Sequence, residues 1–114
     1  MSLSDRAAWV NAATPHLVAD VSLRTTEEGG RRLPALPGWG CPCMVDPDAR
    51  VGYDAWPILG DVPLMPGDQR RLGFVFLTEE GARTMRDAGR FHLWEGKLIG
   101  EAIVVPGAAP GRKE

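Results

Sequence analysis

The stretch MPGDQRRLGFVFL, residues 65–77, decides the fold class of this chain. In its first four residues Pro66 presets its own φ angle and Gly67 permits a positive one, which predicts a type II turn. Apolar side chains then alternate along a predicted strand over residues 69–77. Its apolar positions are Leu72, Phe74 and Phe76 on one face and Val75 and Leu77 on the other. Because both faces carry apolar residues, we expect this strand to be covered on both sides.

Other short strands are predicted on either side of this stretch. Residues 17–25 alternate strictly between apolar and polar side chains, as a half-buried strand does. Residues 90–94 and 97–105 are typical of paired strands joined by a tight turn. Residues 33–45 are rich in proline and glycine and favour short extended pieces, while residues 46–68 hold one or two more strands. Many short strands separated by such turns predict a mainly β fold, a small antiparallel β-barrel.

Two short helices complete the predicted organisation. Ser4 would cap an N-terminal helix that Pro15 prevents from running further. Thr78 would cap a second helix of about two turns, which Gly89 would end. The predicted division of the chain is an N-terminal helical segment at residues 1–16, a barrel at residues 17–105 and a flexible tail at residues 106–114.

Length and charge bound the class of protein. The 114 residues suit one domain with its own core. Thirteen basic against 15 acidic residues leave a net charge of −2, which excludes a nucleic-acid clamp driven by global charge, so no DNA partner is expected. The chain has no apolar run near the roughly 18–20 residues of a membrane span and no signal-peptide core in its first ten residues. We expect a cytoplasmic protein without a membrane partner.

The cysteines and histidines are weak candidates for a site. Cys41 and Cys43 lie too close in sequence for an unstrained bridge, so we expect free thiols. With His16 and His92 they could form a metal site or a Cys–His nucleophile pair, but Cys-x-Cys is poor zinc spacing. The favoured interpretation is two small apolar side chains on one strand face. We therefore predict no metal and no cofactor.

No catalytic group is predicted either. The aspartates between residues 46 and 68 lack the spacing and closing glutamate of an EF-hand, and we interpret them as turn-forming and solvated. A nucleophile, a base and an orienting group cannot be named together, so we expect the protein not to be an enzyme.

Four ordered motifs carry a family resemblance. They are Glu27-Glu28-Gly29-Gly30-Arg31 with Pro34 close behind, Gly38-Trp39, the turn at residues 65–68, and Phe91 with the hairpin and strand at residues 95–105. In this order and spacing they resemble the C-terminal β-barrel domain, the third domain, of elongation factor Tu. The resemblance covers residues 17–105 and implies that barrel as a stand-alone domain. The Gly-x-x-x-x-Gly-Lys-Ser/Thr loop is missing, so no nucleotide partner is expected.

In that family the barrel contacts the backbone of aminoacyl-tRNA and offers surfaces to protein partners. Two departures bear on this, since Trp94 stands where the family has Arg and Arg32 replaces a His. Carried over to this chain, the resemblance implies RNA contacts at five positions on two turns, Gly30, Arg31, Arg32, Gly96 and Lys97. The arginines could instead be solvated and paired with Glu27 or Glu28.

Two functions follow as hypotheses. The first is a non-catalytic module that binds a protein partner or its own copy, with Trp39 and Trp94 as interface anchors. The alternative is a small RNA-binding protein that grips the tRNA backbone with Arg31, Arg32 and Lys97. The tryptophans could also simply fill the core.

Overall fold

A computed structural model describes residues 2–107 of the chain. Of the predicted flexible tail only Pro106 and Gly107 are described, as a turn, and residues 108–114 lie outside the described residues. The elements in chain order are α1 (Leu3–Ala12), β1 (Leu17–Leu23), β2 (Cys41–Met44), β3 (Tyr53–Pro57), β4 (Gln69–Phe76), α2 (Glu79–Ala88), β5 (Arg90–Trp94) and β6 (Leu98–Val104), with a 3₁₀ turn at Pro47–Ala49.

The six strands form a closed antiparallel barrel, which confirms the predicted fold class. Their order around the barrel is β1-β4-β3-β2-β5-β6, and β6 returns to β1. Leu17 lies opposite Phe74 on the β1–β4 seam, and Ala19 lies opposite Val104 on the β6–β1 seam. Closure gives every strand two partners, which removes the exposed edges of an open sheet.

The stretch at residues 65–77 behaves largely as predicted. Gly67 has φ +87°, and the amide of Asp68 donates to the carbonyl of Met65 over 3.0 Å, so the chain reverses just before β4. Val75 on the outer face is buried. The expectation of full coverage on that face is wrong for Leu77, which is 64% exposed because β4 ends at the residue before it. The inward face of β4 carries Leu72, Phe74 and Phe76.

Helix α1 begins earlier than predicted. Ser2, not Ser4, is its cap, because Ser2 Oγ accepts from the Asp5 amide and the Asp5 carboxylate accepts from the Ser2 amide. Two amides that the helix cannot pair are satisfied in this way. Near its other end Asn11 exchanges hydrogen bonds of 3.0 and 3.2 Å with the backbone of Gly60. These bonds tie α1 to the loop that follows β3.

Helix α2 belongs to the barrel core. Thr78 caps it through the amide of Gly81, and Gly89 ends it with φ +80°, as predicted. The helix has ten residues, which is nearer three turns than two. Ala82 and Met85 are fully buried in the same core as the barrel strands. Among residues 2–107 no helix combines the length and the apolar composition needed to cross a bilayer.

Candidate functional site

The turn after β1 positions the first predicted site residues. Thr25 closes it, because its backbone carbonyl accepts from the amides of Glu28 and Gly30. Gly30 is required by space, since a Cβ there would lie 2.3 Å from the carbonyl oxygen of Arg24. Bonds from the amide and hydroxyl of Thr25 lower the pKa of Glu28. Glu28 is therefore held by its own turn and makes no ion pair with Arg31 within the described chain.

Arg31 is held by an acid on another hairpin. Its guanidinium donates to both carboxylate oxygens of Glu95, at 2.6 and 2.5 Å, and to the backbone carbonyl of Leu33 at 3.1 Å. The guanidinium carbon lies 5.2 Å from the ring centroid of Trp39, and the indole N–H of Trp39 donates to Glu95 over 3.0 Å. Only 16% of the Arg31 side chain is exposed. Arg31 therefore pairs with Glu95, and not with Glu27 or Glu28 as expected; Glu95 was predicted only as part of the hairpin at residues 95–105.

The other predicted RNA-contact residues lie around this ion pair. A groove of about 300 Å³, here called the basic groove, is lined by Gly30, Arg31, Arg32, Leu33, Glu95 and Lys97. Gly96 lies between two of these residues at the tip of the β5–β6 turn, with φ +73°. The fold therefore brings the predicted cations together, but it places the carboxylate of Glu95 among them.

A larger groove adjoins the basic groove and is lined mainly by apolar side chains. This apolar groove has a volume of about 490 Å³ and shares Arg31 and Leu33 with the basic groove. Leu33 is 70% exposed, and Leu3 and Leu36 are each 47% exposed. The groove is lined by Leu3, Arg6, Leu33, Pro34, Leu36 and Trp39, besides Arg31 and Gly40.

The apolar groove is built by two parts of the chain. Helix α1 supplies one wall, and the Pro- and Gly-rich segment at residues 31–40 supplies the other. The two walls touch at Gly38, where an added Cβ would lie 2.9 Å from the carbonyl oxygen of Leu3. This groove could not be predicted from the sequence, because neither wall shows a periodicity that marks exposed apolar residues.

The two tryptophans predicted as anchors are separated. Trp39 lines the apolar groove and packs partly against the barrel core. Trp94 is half-buried on β5, opposite Leu98, and does not line that groove. Trp9 and Trp56 meet edge to face with their ring centroids 5.5 Å apart. Of the predicted pair, only Trp39 adjoins the exposed leucines.

The candidate metal residues form no metal-binding cluster within the described part of the chain. Cys41 and Cys43 are free and buried on the inner face of β2, as the apolar interpretation predicts. Contact with Cys41 and burial raise the pKa of the Cys43 thiol well above its ordinary value. His16 Nδ1 accepts from the amide of Phe76 at 3.0 Å, which ties it to the backbone. Within residues 2–107, no three His, Cys, Asp or Glu side chains are placed to share a metal ion.

Two of the aspartates between residues 46 and 68 stabilise turns through side-chain hydrogen bonds. Asp46 Oδ1 accepts from the amide of Asp48 at 3.0 Å and caps the 3₁₀ turn. Asp68 Oδ2 accepts from the amide of Met65 at 2.8 Å. These bonds confirm the turn-forming interpretation for Asp46 and Asp68.

Neither the protein-family models nor the curated proteins that were compared with the chain gave a match.

Proposed function

We propose that the protein is a non-catalytic binding module that binds a protein partner through the apolar groove. The observation that carries the proposal is the set of leucines around it, each about half exposed or more. Water-facing apolar side chains that line one concavity are typical of interaction sites, whereas scattered ones need no explanation. Covering them would remove apolar surface from water, which is the main favourable term in protein association.

The chemistry of Trp39 also supports a protein partner. Its indole N–H is already bonded to Glu95, and Arg31 lies near its ring, so its remaining exposed surface is apolar. An aromatic side chain held in one orientation loses little conformational entropy on binding. Trp39 is therefore suited to act as an interface anchor. In this proposal the module is a translation-factor-type barrel that works in the cytoplasm.

RNA binding is the second candidate, and the convergence in the basic groove favours it. Arg32 and Lys97 line one groove, and exposed Gly96, beside Lys97, could let a phosphate approach the backbone. Neither side chain makes an ion pair with any residue from 2 to 107. Arg31, however, is neutralised by Glu95. About two free cations would give weak and salt-sensitive binding, because each phosphate contact contributes one released counterion.

A pull-down from native lysate separates the two functions. The tagged wild-type chain is compared with a Leu36→Asp variant and with a double Arg32→Glu, Lys97→Glu variant, with and without ribonuclease. Arg31 is left intact, since its loss would also disturb Glu95 and Trp39. Ile103→Asp is the matched control, because Ile103 is 59% exposed on β6 and lines neither groove.

We expect a protein partner that survives ribonuclease, is lost from Leu36→Asp and is kept by Ile103→Asp. RNA that is retained by the wild type and lost from the double variant would overturn the proposal in favour of the second candidate. A partner bound equally by Leu36→Asp would overturn the role of the groove.

A further inference from the structure

The charges around the apolar groove indicate the class of its partner. Arg6 and Arg31 line the apolar groove, and Arg32 and Lys97 line the adjoining basic groove. Glu95 is the one acid among the lining residues of the two. Four cations against one carboxylate leave a local formal charge of +3, whereas the whole chain carries −2. The residues that line the two grooves are therefore opposite in net sign to the chain as a whole.

We propose that the apolar groove binds an acidic peptide segment of a partner protein, with one large apolar side chain of that segment seated among the leucines. This inference rests on the proposed function and specifies its ligand. The acidic residues of the segment would face Arg6 on one side and the basic groove on the other. Complementary charge of this kind steers encounter and selects among partners.

Arg6 is the cation best placed to receive a carboxylate. It is exposed on α1, and its side chain makes no ion pair or hydrogen bond with any residue from 2 to 107. Its guanidinium is therefore unpaired among residues 2–107, and the planar fork suits a carboxylate. Arg31 differs, because Glu95 and Trp39 already fix it. Arg6 therefore offers the ligand a cation that is unpaired within the described chain, whereas Arg31 is a fixed part of the groove lining.

Leu33 is placed so that one bound peptide segment could contact both grooves. It lines the apolar and the basic groove and is 70% exposed. A segment whose apolar side chain packs on Leu33 and Leu36 would place its next residues beside Arg32 and Lys97. The volume of about 490 Å³ lies within the range of roughly 300–1,000 Å³ typical of ligand sites. A nucleic-acid backbone would use the cations but would leave the leucines uncovered.

The test is selection from a displayed library of random peptides of about 12 residues on the full-length chain. We expect enriched sequences with a Leu, Phe or Trp flanked by Asp or Glu. The strongest sequence is then synthesised, and its affinity is measured by fluorescence anisotropy at low and high salt. Salt should weaken binding because the charges are exposed.

Four variants test the contacts of that synthetic peptide. Arg6→Gln should weaken binding about threefold to tenfold, and Arg83→Gln, an exposed arginine on α2 outside both grooves, should leave it unchanged. Leu36→Asp should abolish binding, while Ile103→Asp should not affect it. Circular dichroism and a urea midpoint establish that each variant is folded.

Three kinds of result would overturn the inference. Enriched peptides without acidic residues, or an affinity that Arg6→Gln leaves unchanged, would show that charge does not select the ligand. Enrichment that is equal on Leu36→Asp would show that the groove is not the site. RNA that displaces the peptide and binds more tightly to the wild type than to Arg32→Glu, Lys97→Glu would assign this side to nucleic acid. The first result leaves a protein-binding module intact, so the pull-down decides the proposed function separately.

Discussion

At the residue scale, Glu95 organises the candidate site. Its carboxylate accepts from the guanidinium of Arg31 and from the indole N–H of Trp39. The two donors come from the segment after β1, whereas Glu95 lies between β5 and β6, so the carboxylate links segments more than 50 positions apart in the chain. The local sequence gives no sign of this link, because a glutamate followed by a glycine is common in turns and does not indicate a distant partner. The link makes Arg31 one member of an ion pair between two turns.

The first prediction concerns the Arg31–Glu95 ion pair. In a double-mutant cycle with Arg31→Ala and Glu95→Ala, the coupling in the free energy of unfolding should be about 1 kcal/mol. Hydrogen bonds to charged groups contribute roughly 1.5–3 kcal/mol. Solvent screening reduces that figure, because the Glu95 side chain is 40% exposed. Urea titrations of the wild type, both single variants and the double variant measure the coupling.

The control pair is Asp20 and Arg71 on the outer face of the β1–β4 seam. Their side chains are 51% and 62% exposed, so their coupling should be smaller than that of Arg31 and Glu95. The hydrogen bond from Arg71 lowers the pKa of Asp20 below the ordinary value of an aspartate. Any stability from this pair is therefore present above that ordinary pKa and is lost as the pH falls through the lowered pKa. Equal coupling in the two pairs would contradict the central role of Glu95.

At the scale of elements, the two helices have different parts in the fold. Helix α2 buries Ala82 and Met85 in the barrel core. Helix α1 has Val10 as its one fully buried residue and attaches through Asn11 and an edge-to-face contact of Trp9. Both helices have a side-chain cap at the N-terminus, so the caps do not tell the two helices apart. Their burial distinguishes the core element from the wall of a groove.

The second prediction compares their caps. Thr78→Ala should lower the free energy of global unfolding by about 1 kcal/mol, because it removes the bond to the Gly81 amide from a helix packed into the core. Ser2→Ala should cost less than half as much globally, because α1 can fray while the barrel stays closed. Urea unfolding gives the global values, and hydrogen exchange of the α1 amides reports the local change. An equal global loss in both variants would show that α1 folds as part of the barrel.

At the scale of the whole molecule, the barrel is closed, so a reagent can reach the core only when strands separate from one another. The inner face of β2 carries Cys41 and Cys43, and Cys43 is fully buried. The β2–β5 seam is the shortest, with two paired positions, Cys43 with Leu93 and Met44 with His92. If the barrel opened locally, this seam would have the fewest hydrogen bonds to break. The reactivity of Cys43 therefore reports whether the barrel opens as one unit.

The third prediction is that Cys43 reacts with a thiol reagent only through global unfolding. In a Cys41→Ala variant the labelling of Cys43 at neutral pH should be about 4,000-fold slower than in the unfolded chain, since an unfolding free energy of about 5 kcal/mol populates the unfolded state that rarely. The labelling rate should rise with urea in parallel with the global unfolding equilibrium. A fast rate that is insensitive to urea would indicate local opening of the β2–β5 seam.

Much of the fold could be predicted because its signals are local. The alternation from Leu17, the turn at residues 65–68 and the cap at Thr78 each depend on neighbouring residues, and the structure bears out all three. A half-buried strand needs only period-2 alternation, and a type II turn needs only proline and glycine in order. The sequence by itself therefore determined the mainly β class, the approximate element bounds and the free, inward-facing cysteines.

The candidate site could not be predicted to the same extent, because contacts between distant segments create it. That Arg31 binds Glu95 rather than Glu28, and that Leu3 and Leu36 face one groove, depends on how the barrel closes and where α1 lies. Composition does not tell whether an arginine on a turn is free or neutralised, or whether a leucine outside the core is isolated or part of a surface. Those properties arise only when the chain is folded, since they depend on distances through space and not along the sequence.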